Sequence, residues 1–466
     1  DGFHIVSQTN HSCSSPKIIS KDSLKQVVKK LGKQIKVDKD YYRLVYNELK
    51  TDQEHLNIQR IRRAYNDVYD LNKNKRLKTW GKLESFLEII KESGGYGQIH
   101  KNENGFIDFV GFSPNYSVMF MHSILFFPVI QMDTRFQTGI SAGHLYCIIT
   151  LTGNRTIVPI AAAWAPTENK IYTKMLLNML TNEIGIIKVC QTDESGALIS
   201  PIEEAGIQNQ LCVWHASRHC PDKSQFMSLI SASSSHEYAV IKHKIFSENE
   251  NLKKYLETNN HLNKMSRFEG SCPRDQNLAT SAVESMNSFI SRMNLKNKEP
   301  LEVFLNLYEF GFVSLQKICI QKSYFTSSVS EYLSYALLVG HNLTVYQSEL
   351  RWGKFEVSKE NDPDTKCTVI ISFIVQPTCT CKFYEDCGMP CVHLLAVACQ
   401  KKLDWCSWIH PRYYPSKYRN TFQNNLIYPD FDRIIQVNDD IPEGIRSLKQ
   451  RNKRIPTPGE VTKKKK

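Results

Sequence analysis

Two aspartates stand where buried strands should end. Asp133 closes the apolar run PVIQM, and Asp193 follows IIKVCQT with the helix-entry sequence ESGALISPIEE behind it. A buried strand rarely carries an uncompensated carboxylate, because taking the charge out of water is costly. Two such acids on one sheet suit a hard divalent cation such as magnesium, which prefers oxygen ligands and draws only a few from protein. The plainer reading makes Asp193 a helix N-cap and Asp133 a turn residue. The repeated arrangement weighs against it. Spacing alone does not select a third acid, since Glu194, Glu203, Glu204, Glu269 and Glu284 are all candidates.

A second constellation is made of soft ligands. The stretch TCTCKFYEDCGMPCVHLLAVACQKKL holds Cys379-x-Cys381, a nine-residue gap and Cys391-x-His393, and the histidine begins an amphipathic helical run. Three cysteines and one histidine are an established tetrahedral zinc set. Unligated core cysteines are the bland alternative. Cys387 is a fifth soft side chain, in the connecting loop EDCGMP, and is expected to be the spare. Cys212 and His215 form a lone Cys-x-x-His, which suits either an incomplete zinc site or an ordinary buried pair.

The elements that must position these groups follow from the hydrophobic pattern. Segments such as DSLKQVVKKLG and WGKLESFLEIIKES place apolar residues three and four apart, which predicts helices from Ser20 to Ile90. Between Ile124 and His215 the runs ILFFPVIQMDTRF, HLYCIITLTGN, TIVPIAAAWA, IIKVCQTD and NQLCVWH read as strands, with a helix over KIYTKMLLNMLTNE. Their near-continuous apolar character implies an α/β sheet covered on both faces. Helical patterns return from Ala216 to Tyr324, and LTVYQSELRWGKFEV and CTVIISFIVQ give weaker strand signals before the cysteine cluster.

The chain has 466 residues, 41% of them hydrophobic, so it can bury a large core in two or three domains. Its formal charge of +12 makes a polyanion such as nucleic acid a plausible partner. Apolar stretches such as SILFFPVIQM stop short of the roughly 20 residues that span a bilayer. A soluble, intracellular protein with no membrane partner is expected. The first residue is Asp, so further chain is expected upstream.

Read together, VIQMDTRFQTG, VPIAAAWAPTENKIYTKML, VCQTDESGALISPIEEA and QLCVWH resemble the core of Mutator-like element transposases. The resemblance places the family's first acid at Asp133, its strand-to-Glu motif at Pro159 to Ala161 with Glu168, and its second acid at Asp193. It places the Cys-x-x-His at Cys212 and His215, here with a role close to the scissile phosphate. ATSAVESMNSFI matches the family's third-acid context and selects Glu284. The family's Trp after the first Glu is missing, since Asn169 to Tyr172 stand there.

What the resemblance implies is an α/β, RNase H-like (retroviral integrase-like) catalytic core over 116–325, interrupted by a helical insertion at about 217–275. A helical N-terminal region at 16–115, serving DNA binding or dimerisation, precedes it. A region at 326–410 holds a SWIM zinc finger at 379–393, and a segment with a basic tail follows at 411–466. FHIVSQTNHSC is similar to the end of a WRKY-like finger, with His11 and Cys13 as its final ligands in a remnant at 1–15. The implied activity is DNA cleavage and joining at Asp133, Asp193 and Glu284 with Mg2+ or Mn2+, and Zn2+ at Cys379, Cys381, Cys391 and His393. The implied partner is double-stranded DNA, both terminal inverted repeats and target, with homo-oligomers assembled on it. The nucleus is the implied location, and the Lys-rich tail suits an import signal as well as it suits solvated charge. The alternative is a domesticated, non-cutting transcription regulator, which needs the fingers but not the acids.

Overall fold

The computed structural model describes residues 79–437 apart from 139–141, 185–186, 259–260, 271–272, 276–280, 350–352, 361, 373–374 and 424, together with Gln26 and Val27. The expected finger remnant at 1–15, with His11 and Cys13, most of the N-terminal helical region and the basic tail lie outside these residues. The chain divides into two units, Asp1–Lys78 and Thr79–Lys466. Within the first, Gln26 and Val27 are helical.

The second unit opens on helix α1 (Leu83–Glu92), whose buried Leu83, Phe86, Leu87 and Ile90 recur every three or four positions. A hairpin follows, β1 (Tyr96–Lys101) and β2 (Ile107–Ser113), then helix α2 (Asn115–Met121). Three antiparallel strands come next, β3 (Val129–Gln137), β4 (Gly143–Leu151) and β5 (Ile157–Ala165). Helix α3 (Lys170–Ile184) leads to β6 (Val189–Thr192), and α4 (Gly196–Glu204) leads to β7 (Gln208–Leu211). The result is one seven-stranded mixed sheet in the order β1-β2-β5-β4-β3-β6-β7. Only β3, β6 and β7 pair in parallel, and a helix-bearing connection reaches each parallel partner, as such pairing requires.

The sheet starts earlier than the boundary at 116 expected from sequence. IDFVGFS is buried at every position of β2. A short apolar run without alternation does not declare itself as strand or helix by periodicity, so only pairing with β5 reveals its membership.

Beyond β7, helices α5 (Val213–His219), α6 (Lys223–Ile230), α7 (Ser235–Glu248), α8 (Glu250–Glu257) and α9 (His261–Met265) pack around their own core of Phe226, Leu229, Tyr238, Ile245, Leu252 and Leu256. Helix α10 (Ser281–Arg292) and the long α11 (Pro300–Cys319) return to the main core, where Met286, Ile290, Phe304 and Tyr308 join residues of the sheet. Helix α12 (Ser327–His341) leads to a second, antiparallel sheet of β8 (Leu343–Glu349), β9 (Lys354–Lys359), β10 (Asp362–Ile370) and β11 (Thr378–Cys379). Helices α13 (Phe383–Cys387) and α14 (Val392–Lys401) pack on it, and Tyr418 and Phe422 of helix α15 (Pro415–Phe422) lie in the main core. Among the described residues no helix is long and apolar enough to cross a membrane.

Candidate acidic site and Cys3His centre

Strands β3 and β6 pair only over Val129–Gln131 and Val189–Gln191. Asp133 and Asp193 each lie two residues beyond the Gln131–Gln191 pair, so the register sets the two acids level. Asp133 is mid-strand rather than at a strand end, because β3 outruns β6 and continues to pair with β4 as far as Gln137. Burial lapses at Asp133, after four buried residues. Its carboxylate accepts from the Thr134 backbone N–H at 2.8 Å and from Asn287 Nδ2 at 2.7 Å. Asp193 accepts from the Ser195 N–H at 3.0 Å, a local Asx turn, while Ser195 holds the N-cap position of α4. The N-cap reading of Asp193 therefore fails.

Both acids are short of positive charge. Burial first, then the Asp193 carboxylate, push the Asp133 carboxyl up to about 7 against the hydrogen bonds from Thr134 and Asn287, with Glu168 adding to the rise. Asp193 is raised as well, mainly by burial, with Glu168 adding and His215 opposing. A divalent cation relieves both the burial and the mutual repulsion of such a pair, so these residues fit a hard metal.

Helix α10 is laid across β3 by a ladder of side-chain contacts. Gln131 Oε1 accepts the Val283 N–H at 3.1 Å, Asn287 donates to Asp133, and Arg135 donates to the Asn287 carbonyl and, at 2.6 Å, to Ser291 Oγ. Positions 131, 133 and 135 share one face of a strand, and 283, 287 and 291 share one face of a helix, so period two meets period four. Glu284 rides on this helix with its side chain 41% exposed, and its Oε1 lies 3.4 Å from His215 Nε2. With Cys212 these form a group whose donor atoms all lie within 4.8 Å of one another. Cys212 and His215 are thus neighbours of Glu284, and Asn287 connects its helix to Asp133.

Glu168 was carried by the sequence only as a motif position, yet it sits between the aspartates. Its Oε2 accepts from Thr134 Oγ1 at 2.7 Å and its Oε1 from Ser195 Oγ at 2.6 Å. The sequence signal was a hydroxyl residue one place after Asp133 and two after Asp193, Thr134 and Ser195, which Glu168 ties together.

The soft ligands converge in the second sheet. Cys379 ends β11, Lys382 at φ 60° turns the chain after Cys381, and Cys391 is the N-cap of α14, its sulfur accepting from the Leu394 N–H at 3.4 Å. Cys379, Cys381, Cys391 and His393 form a group with all donor atoms within 4.8 Å, the three cysteines buried. Three thiols and an imidazole, with no carboxylate among them, fit a soft tetrahedral ion such as zinc. Cys387 stands apart from that group, its thiol donating to the Phe383 carbonyl at 3.2 Å. A cysteine that sequence reasoning missed lies beside the group: Cys367 of β10 neighbours Cys379 and His393. Pairing of Val369 with Cys379, two residues along, carries it there.

No family model matches this chain, and no curated protein matches it.

Proposed function

We propose that this chain is a DNA transposase of the Mutator-like kind, built on an RNase H-like sheet, that cuts transposon ends and joins them to target DNA. The observation that carries the reading is the level placement of Asp133 on β3 and Asp193 just past its parallel neighbour β6, with an acid-bearing helix pinned across β3. The strand order, in which an antiparallel trio is extended by two parallel strands, supports the same fold. So does the upward shift of the Asp133 carboxyl's pKa, which marks a site short of cations.

In this reading Asp133 and Asp193 hold Mg2+ or Mn2+ from the sheet, and Glu284 holds it from the helix. Bound there, the metal would supply activation of the attacking oxygen and stabilisation of the leaving one. The protein's own part is positioning and charge neutralisation. Asn287 orients the Asp133 carboxylate, His215 orients Glu284, and Glu168 holds the turns that follow both aspartates through Thr134 and Ser195. Zinc at Cys379, Cys381, Cys391 and His393 would order the second sheet. Duplex DNA is the partner, bound by an oligomer in the nucleus.

The test is nicking of duplex DNA bearing the element's terminal inverted repeats, with Mg2+ or Mn2+ as the variable. Asp133→Asn, Asp193→Asn and Glu284→Gln should each abolish it while DNA binding persists. Cleavage that survives a substitution removes that residue from the site. Cleavage that survives all three ends the reading.

A further inference from the structure

The Cys3His centre and the acidic site are joined through buried polar contacts. Helix α13 bridges the two ligand pairs and ends at Cys387, whose carbonyl accepts from the Arg412 guanidinium at 3.2 Å and from Tyr413 Oη at 2.7 Å. Arg412, with its side chain 1% exposed, is ion-paired to the equally sequestered Asp275. The Asp275 N–H donates to the Asp386 carbonyl at 2.8 Å, and the Arg274 N–H to the Asp386 carboxylate at 2.6 Å. The segment 273–275 is therefore clamped to helix α13, between the two ligand pairs.

The other side of that segment belongs to the acids. Gln191 Nε2 donates to the Arg274 carbonyl at 3.0 Å, and Gln210 Nε2 to the Pro273 carbonyl at 3.1 Å. Gln191 Oε1 accepts from Gln131 Nε2 at 3.0 Å, and Gln131 Oε1 holds the Val283 N–H. These glutamines sit two residues before Asp193 and Asp133, and Val283 one before Glu284. Arg412 adds a second route, since its guanidinium lies 4.2 Å over the Phe127 ring just ahead of β3.

We propose that Asp386, Arg274, Asp275 and Arg412 are positioning residues for the acidic site, so that a filled Cys3His centre sets the spacing of Asp133, Asp193 and Glu284. The centre is then a brace for the acids, not a separate finger. A tether would not need a buried ion pair, which is costly to desolvate and holds only in a well-matched geometry. The inference requires that the Cys3His centre hold metal. It does not require that the chain cut DNA.

The experiment uses the full zinc-loaded chain, read by amide hydrogen exchange and by Mn2+ binding. The double variant Asp275→Asn with Arg412→Met removes the ion pair as a unit, so that no lone charge is left buried. It should keep one equivalent of zinc and the protection of β9 and β10. The Val283 amide and those of β6 should exchange at least about tenfold faster. Mn2+ affinity should fall by roughly 10- to 100-fold, the usual loss when an outer partner of a metal site goes. Unchanged Val283 exchange and Mn2+ affinity in the loaded variant overturn the proposal. Chelating zinc from the wild-type chain should deprotect Val283 before the β1–β2 hairpin, and loss confined to 343–413 also overturns it. If chelation unfolds the whole chain, the loaded double variant decides. Failure of the transposase reading looks different, because the exchange coupling would persist in a chain that binds Mn2+ but leaves DNA intact.

Discussion

The Cys3His centre and the acidic site are built on opposite plans. The first draws all four donors from Cys379 to His393, one turn, one short helix and one helix start. The second brings Asp133 of a strand, Asp193 just past a strand and Glu168 of a loop together, and Glu284 stands on a distant helix pinned across the first strand. A local centre of soft donors makes metal binding part of folding. A site of crowded carboxylates works against folding, since burial and mutual repulsion must be borne by the rest of the structure. Losing a donor should therefore cost the fold in one region and only the chemistry in the other.

The largest effect should come from the Cys3His side. Structural zinc sites bind with an apparent 10 to 16 kcal/mol, of the order of about a whole domain's stability, and that energy is also folding energy. Cys381→Ser or His393→Ala should lose the metal and the cooperative melting of the second sheet, with proteolytic nicking appearing within 343–413. Metal content and limited proteolysis check this. A variant that keeps its melting transition without zinc would erase the contrast between the regions.

On the acidic side the sign should reverse. Asp133→Asn removes a carboxylate that burial and Asp193 hold out of its ordinary range. Without added cation the variant should be more stable than wild type by about 0.5 to 2 kcal/mol, the size of gain found when a strained functional group is relieved. Cation-dependent cleavage should fall by roughly a thousandfold or more. Denaturant melts at neutral pH measure the first quantity. A destabilised variant would mean that Asp133 is held for the fold.

Glu168→Gln should cost less. The amide retains an acceptor for Thr134 or Ser195 but loses the charge between the aspartates, so cation affinity should weaken by about 10- to 100-fold, as outer partners usually do. Isothermal titration with Mn2+ reads it. A loss as complete as that of Asp133→Asn would make Glu168 a ligand in its own right.

The same contrast explains what the sequence disclosed. The Cys3His set was legible because its donors are close in the chain and chemically rare, and Cys387 stands outside it as expected, although it closes helix α13 and does not lie in a loop. Strands β3 to β7 were legible as apolar runs of the right length. β2 was equally apolar but seven residues of unbroken burial could not be told from a helix. The acids were legible only in part. Asp133 and Asp193 are marked by the runs before them, but Glu168 depends on two hydroxyls that converge in space. Glu284 depends on a helix register set by Gln131 and Arg135, and no local pattern encodes such long-range contacts. Cys367 escaped notice because a strand pairing, and not a spacing, brings it to the centre.

That distinction makes Cys387→Ser and Cys367→Ser informative because little should happen. Cys387 already uses its thiol on the Phe383 carbonyl, a bond that a serine hydroxyl can keep. Each variant should retain one equivalent of zinc, with stability reduced by about 1 to 3 kcal/mol at most for the buried hydroxyl. Loss of zinc from Cys367→Ser, with retention in His393→Ala, would move the fourth ligand from the histidine to β10.

The smallest expected effect is also the one that sets the two regions directly against each other, the dependence of stability on pH. In the folded, cation-free chain Asp133 keeps its proton up to about 7, whereas in the unfolded chain it loses it near the ordinary value of 3.8. Between those limits the native state binds more protons, so the slope of unfolding free energy with pH is negative for this group. Its contribution is full below the unfolded value and is lost as pH rises through about 7. The Cys3His centre must run the other way, since metal binding releases protons from its thiols and imidazole and so strengthens as pH rises. Other groups titrate over the same interval, so the useful quantity is the difference in melting temperature between wild type and Asp133→Asn. That difference should vanish near pH 4 and open to about 1 to 2 °C by pH 8, the shift that about 1 kcal/mol produces in a unit of this size. Saturating Mn2+ should close it again, because the ion replaces the proton as the charge that Asp133 needs. A difference that stays flat with pH would place the ionisation of Asp133 in its ordinary range, and the two regions would then differ in donors alone and not in the direction of their charge.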